Sequence, residues 1–187
     1  YQNVVSGIDE ETGRVTANTE IIPTEFGEPY TFCPAIAGGR LWQATAYSPD
    51  SELFYLPAGN TCQTIAAREM DEVSPGSAMG LIQGFGNSIA PDATGIGALH
   101  ALNVSDGESA FAVQQGPRFT SSVLATGGRL LFVGDANRYV KALDDTTGET
   151  LWQHRLQAPI GGTPVTYEVD GTQYVVIAAG QSNQTDA

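Results

Sequence analysis

Two histidines, two cysteines and a few clustered carboxylates are the side chains of this 187-residue sequence best suited to chemistry. A pair of imidazoles holds a transition metal when tight spacing brings both to one face. His100 and His154 lie on separate apolar runs, so each reads as an ordinary half-buried side chain. Neighbouring carboxylates suit a hard cation such as Ca²⁺, which gathers oxygen ligands. Asp9-Glu10-Glu11 and Asp144-Asp145 have that character, but both stand in turn sequences. There an Asp side chain accepts backbone N–H groups, and the structural role is the preferred reading. Cys33 and Cys62 are two core thiols or one bridge. The sequence has no His-x-x-x-His, no Cys-x-x-Cys, no nucleophile elbow and no Cys-x-x-Cys-His. Gly84-Phe85-Gly86 lacks the lysine and the strand–helix setting of a phosphate loop.

The elements that would position these groups repeat. Ala142-Leu143-Asp144-Asp145-Thr146-Thr147-Gly148-Glu149-Thr150-Leu151-Trp152 reads as strand, turn and strand, closed by a large aromatic. Gly148 sits where a positive φ would strain any other residue. Forty-one residues earlier stands Ala101-Leu102-Asn103-Val104-Ser105-Asp106-Gly107-Glu108-Ser109-Ala110-Phe111. Gly107 aligns with Gly148 and Phe111 with Trp152. A weaker copy occupies Gly7 to Arg14. A period of about 40–45 residues with several strands per unit is the signature of a propeller blade.

Composition agrees with an all-β chain, with 22 glycines and 10 prolines for many turns and 41% hydrophobic residues for a core. The formal charge of −13 argues against nucleic acid, whose phosphates need a basic surface. It would suit a basic protein partner. No apolar run reaches the ~18 residues of a membrane span. Tyr1-Gln2-Asn3 reads as the middle of a longer polypeptide, with no signal peptide in view.

Residues 1–15 are expected to end one blade, with a strand at Val4, Val5 and Ile8, and residues 16–32 to form an irregular connection. A blade is expected over 41–115, starting with a strand at about Leu41 and pairing it with Leu53–Ala58. Residues 63–93 would interrupt it as a structureless insertion, either covering one mouth of the ring or making a surface excursion. Gly97–Leu102 and Ser109–Val113 supply its last two strands. A full blade is expected over 119–155, with strands at Phe119–Thr126, Arg129–Val133, Tyr139–Leu143 and Thr150–Arg155. Its hairpins turn at Gly127-Gly128 and Asp135-Ala136-Asn137. Residues 162–180 begin another blade around an Asp170-Gly171 turn, and the polar tail from Gln181 frays.

Ala-x-Asp-x-x-Thr-Gly-Glu-x-x-Trp, as written at 142–152, resembles the tryptophan-docking motif of the quinoprotein alcohol dehydrogenases. Those are eight-bladed propellers that use pyrroloquinoline quinone (PQQ). Cys33-Pro34 through Gly38-Gly39-Arg40-Leu41-Trp42, Leu124-Ala125-Thr126-Gly127-Gly128 and Thr163-Pro164-Val165 also resemble phrases of that family. The resemblance implies a partial β-propeller, the C-terminal blades of an eight-bladed ring, completed by further blades from the same polypeptide or a companion chain. It implies that Asp144, Gly148 and Trp152, with Gly107 and Phe111, are docking-motif residues, and that Cys33 and Cys62 form a disulfide in an oxidising, periplasmic compartment. It implies PQQ and Ca²⁺ as cofactors, with the metal ligands and catalytic base outside this stretch, so no catalytic residue is assigned. Arg40, Leu41 and Trp42 are expected nearest the quinone. Leu41 replaces the Asn that many family members direct at it, and a Trp often found just before Leu124-Ala125-Thr126 is absent at Thr120 and Ser121. Read from the residues alone, Trp42 is preferred as a core residue at the inner end of a strand. The implied activity is oxidation of an alcohol, polyol or sugar, with electrons passed to a cytochrome or quinone. A non-catalytic propeller scaffold in the cell envelope would keep the same docking motifs.

Overall fold

The computed structural model describes residues 1–69 and 82–180. The expected turn at Pro75-Gly76-Ser77 and the tail from Gln181 lie outside them. The strands, in chain order, begin with β1 (Val5–Ile8), β2 (Val15–Ala17), β3 (Pro29–Phe32), β4 (Ala46–Ser48) and β5 (Leu53–Gly59). They continue with β6 (Thr61–Ala67), β7 (Ile82–Ile89), β8 (Gly97–Asn103), β9 (Ser109–Gln115) and β10 (Leu124–Ala125). The last are β11 (Leu130–Gly134), β12 (Tyr139–Asp144), β13 (Thr150–Arg155), β14 (Ile160–Val169) and β15 (Thr172–Ala179). All strand pairings are antiparallel. The chain divides into one unit of Tyr1–Gly39 with Asn60–Ala93, and a second of Arg40–Gly59 with Thr94–Ala187.

The second unit holds two four-stranded sheets, β4-β5-β8-β9 and β10-β11-β12-β13, and the β14-β15 hairpin. Period-two burial in β5 turns Leu53, Tyr55 and Pro57 inward. Leu53 and Tyr55 meet Leu99 and Ala101 of β8, and Leu131, Val133 and Leu143 of the next sheet, in one core that Phe119 and Val123 complete. Burying such side chains contributes about 1.5–3 kcal/mol each. β13 is exposed along its length, as the outer strand of an antiparallel sheet can be. This is the partial propeller architecture that the repeats implied.

Two expectations on strand limits are corrected. The first strand starts at Ala46, not Leu41, because the backbone of 41–45 bonds outside its own sheet: Ala44 N donates to Ser122 Oγ (2.9 Å) and Val123 N to Ala44 O (3.2 Å). Likewise the ladder expected from Phe119 to Thr126 shrinks to Leu124–Ala125, since Ser122 N donates to Gly162 O instead. The hairpins turn at Gly127-Gly128 and around Ala136-Asn137 as expected, each closed by a left-handed arginine, Arg129 (φ 64°) and Arg138 (φ 75°).

The first unit contains the β1-β2 hairpin and a three-stranded sheet in the order β3-β6-β7. Residues 61–67 and 82–89, placed in or beside a structureless insertion, are thus strands, and the connection 16–32 carries β3 and part of β2. Thr31 and Thr64 hydroxyls bond across that sheet at 2.8 Å. Gly84 and Gly86 flank the register shift opposite Thr64/Ile65, and Gly86 takes a positive φ of 139° that favours glycine. Their glycine content is what disguised β7. Cys33 and Cys62 are joined in a buried disulfide. Alkylation of the unfolded protein should therefore leave both cysteines unmodified until a reductant is added, as peptide mass mapping will read.

The three copies of the turn motif close in the same way. Gly13 N donates to Asp9 O, Gly107 N to Asn103 O and Gly148 N to Asp144 O, at 2.8, 2.8 and 3.0 Å. The glycine φ values are 69°, 77° and 73°. At the last corner, Asp144 Oδ1 accepts from the backbone N–H and hydroxyl of both Thr146 and Thr147. These bonds, the Thr146 hydroxyl first, lower its pKa from 3.8 to about 2. A folded-state pKa below the unfolded one gives stability that is present above the unfolded value and lost as pH falls through the folded one. That window is about pH 4 to 2. Asp144→Asn should keep the fold, because Asn103 occupies the same place in the preceding corner, and should flatten the decline in stability across that window. Acid titration of the unfolding midpoint checks it.

Candidate functional site

The segments leading into three successive innermost strands lie side by side at one end of the second unit. They are 40–44 before β4, 119–123 before β10, and 160–163 at the head of β14. Their hydrogen bonds run laterally. Ser122 Oγ links Ala44 N (2.9 Å) to Thr163 Oγ1 (3.0 Å). Thr120 Oγ1 donates to Ile160 O (2.5 Å), and Ser121 Oγ accepts from Gly134 N and donates to Ser122 O, each at 2.7 Å. Thr120, Ser121 and Ser122 are buried, so their hydroxyls tie the arc together rather than face a ligand. Sequence reasoning placed a cofactor contact near Thr120 or Ser121 and found its usual aromatic missing. The short, β-breaking hydroxyl run Thr120-Ser121-Ser122 was the only signal of the belt found instead.

Trp42 projects from this arc with 59% of its surface open, and is not the core residue that the residues alone favoured. Arg40 is exposed beside it, its Nη2 donating to Gln43 O at 3.3 Å, while Gln43 itself is buried. Leu41 is partly covered and carries no donor. An exposed indole and an exposed guanidinium two residues apart in the chain are side-chain types that suit a flat, carboxylate-bearing group, through stacking and charge-assisted hydrogen bonds. The residues thus fit PQQ as one wall of a site. They do not supply a Ca²⁺ cage: no group of three or more His, Cys, Asp or Glu converges among the described residues.

The histidines stay apart from this arc. His100 is half-buried in β8, and burial pushes its pKa down. His154 stacks on Trp152, with ring centroids 6.1 Å apart. His154 and Trp152 line a cavity of about 480 Å³ with Phe132, Val140, Val175 and Ile177. Phe111 and Trp152 hold matching positions but differ in cover. Gly148 of the next corner sits on Phe111, whereas Trp152 is 51% exposed.

The family model "Glucose/ethanol/alcohol dehydrogenase, beta-propeller domain" matches residues 93–175. The quinoprotein ethanol dehydrogenase of Pseudomonas putida is 32% identical over 181 residues, covering 94% of this chain and 29% of that protein. The 1-butanol dehydrogenase (quinone) of Thauera butanivorans is also 32% identical, over 94% of this chain and 28% of its own length. Among solved structures, a quinohemoprotein alcohol dehydrogenase from Pseudomonas putida HK5 superposes with a TM-score of 0.77 at 28% identity, over 97% of this chain and 28% of that one. The chain spans less than a third of the length of these curated relatives. With docking corners, four-stranded sheets and relatives in agreement, the chain is similar over nearly its whole length to part of the quinoprotein alcohol dehydrogenases, and over 93–175 to their β-propeller domain.

Proposed function

We propose that this chain is part of a PQQ-dependent dehydrogenase that oxidises an alcohol, polyol or sugar and passes the electrons to a cytochrome or quinone. The observation that carries the reading is the open Trp42 indole and exposed Arg40, held at the head of an innermost strand by a belt of buried hydroxyls. In it, Trp42 offers a stacking face, Arg40 a carboxylate partner and Leu41 apolar cover. The segments at 119–123 and 160–163 keep that wall rigid. PQQ, when bound, accepts the electrons and hydrogen taken from the alcohol. Ca²⁺ and the base that removes the alcohol proton belong to residues beyond this stretch.

The two four-stranded sheets are read as blades spanning about 41–115 and 119–155, with β14-β15 the first half of another and β1-β2 the end of an earlier one. Further blades, from the same polypeptide or a companion chain, would cover the half-exposed Trp152. The buried disulfide supports a periplasmic site of action, since such bonds persist in oxidising compartments. No helix among the described residues is long and apolar enough to cross a membrane.

The test uses the full-length protein reconstituted with PQQ and Ca²⁺ and assayed by dye-linked oxidation of short alcohols, polyols and aldoses. Trp42→Ala and Arg40→Gln should each weaken PQQ binding roughly tenfold, about 1.4 kcal/mol, with kcat at saturating PQQ little changed. Retention of no quinone by the parental protein, together with no oxidation of any substrate class, would establish the scaffold reading instead.

A further inference from the structure

Charge is divided lengthwise in the second unit. The docking corners at one end are built with Asx and Gly-Glu chemistry. With the Pro49-Asp50-Ser51-Glu52 hairpin they place Asp50, Glu52, Asp106, Glu108, Asp144 and Glu149 there, while Arg129 of the other hairpin is paired with Asp145. Backbone bonds fix that end: Val104 N donates to Glu52 O, and Asp145 N to Arg129 O. Asp170 turns the β14-β15 hairpin at its far tip. The opposite end, which carries the candidate site, is basic. Ala136 N donates to Arg118 O, Leu156 N to Arg138 O and Ile160 N to Asp135 O, so Arg118, Arg138 and Arg155 stand at the level of the 119–123 and 160–163 segments. Arg40 is on the same arc. The carboxylate that the described residues of this unit place there, Asp135, is 1% exposed and paired with Lys141 at 3.4 Å. Arg138 and Arg155 meet no carboxylate among the described residues, Arg155 lying over the Tyr139 ring at 5.7 Å.

A chain with a formal charge of −13 repels a small polyanion over most of its surface. Separating the signs restores a local attraction where the wall of the site lies, and such fields act on arrival more than on retention. We propose that the basic end is an electrostatic approach path for a small polycarboxylate. Arg138 and Arg155, which lie outside the candidate site, then govern how fast the carboxylate-bearing quinone arrives. The inference rests on the proposed function in taking PQQ as that anion.

Stopped-flow mixing of PQQ with the full-length apo-protein, in the presence of Ca²⁺, tests it through quenching of tryptophan fluorescence. At low ionic strength, Arg138→Asn combined with Arg155→Gln should slow association roughly tenfold and leave dissociation unchanged. The difference should vanish at about 0.5 M salt, where screening is nearly complete over a few ångströms. Asn tolerates the left-handed φ of 75° at 138, so the exchange preserves the turn. Arg138→Lys with Arg155→Lys should retain the parental rate, and Glu168→Gln, toward the acidic end, should change nothing. Equal association rates for parental and neutralised proteins at low salt, or a loss confined to dissociation, would overturn the proposal. Uptake by the parental protein that ignores salt would overturn it while leaving the proposed function standing. No uptake at all would overturn both.

Discussion

Gly148→Ala is expected to destabilise the protein by about 3 kcal/mol, whereas Gly107→Ala at the matching corner should cost only about 1 kcal/mol. Both glycines are left-handed, at φ 73° and 77°, so both lose about the same to backbone strain. They differ in what a methyl group would meet. At 148 it would lie 2.6 Å from Phe111 Cε2 and 2.6 Å from Val113 Cγ2, and at 107 nothing comes within 4 Å. The extra cost at 148 is overpacking against the preceding sheet. Denaturant unfolding of the full-length protein reads both, and Phe111→Ala should relieve part of the Gly148→Ala penalty in a double-mutant cycle. Equal effects at the two corners would mean that Gly148 does not bear on Phe111.

Asp145→Ala is expected to cost about 2–3 kcal/mol through the buried polar groups it leaves behind. The Asp145 carboxylate is 1% exposed and accepts from Arg129 Nε at 2.8 Å and from Ser48 Oγ at 3.1 Å. Its carbonyl accepts from the Tyr55 hydroxyl at 2.6 Å, and Tyr55 is itself fully buried. Burial pushes the Tyr55 pKa up, so the ring stays a neutral donor. One residue thus ties the last full corner to β4 and β5 of the preceding sheet. Removing the side chain strands Ser48, while half-exposed Arg129 turns to water, which holds the loss below that of a fully buried pair. Val104 occupies the same place in the earlier corner and is 53% exposed. Val104→Ala should therefore change the unfolding free energy by less than about 0.5 kcal/mol. A loss at Asp145 no greater than that at Val104 would show that its bonds are not holding the sheets together.

The same pair shows how the sequence can be read and where it misleads. Asp144 and Asp145 look alike as letters, and both were assigned to the turn. Asp144 folds onto its own Thr146 and Thr147, a local bond that spacing foretells. Asp145 reaches residues 97 and 90 positions away, which no local pattern encodes. The disulfide was legible only through resemblance, since two cysteines alone leave thiols and bridge equally open. The strands β6 and β7 were missed because glycine and short polar residues weaken the alternation on which strand reading depends.

By itself, the sequence determined the repeating corners, the outer strands between them and the apolar faces of β5, β8, β11 and β12. These follow from turn chemistry and period-two burial, which act over a few residues. Only the tertiary structure decided that 41–45 and 119–123 leave their ladders, that the buried hydroxyls of Thr120 and Ser122 join neighbouring sheets, that Trp42 stands open, and that acid and base part to opposite ends. Those outcomes depend on which leading segments come to lie side by side, and that is fixed by packing between sheets distant in the chain.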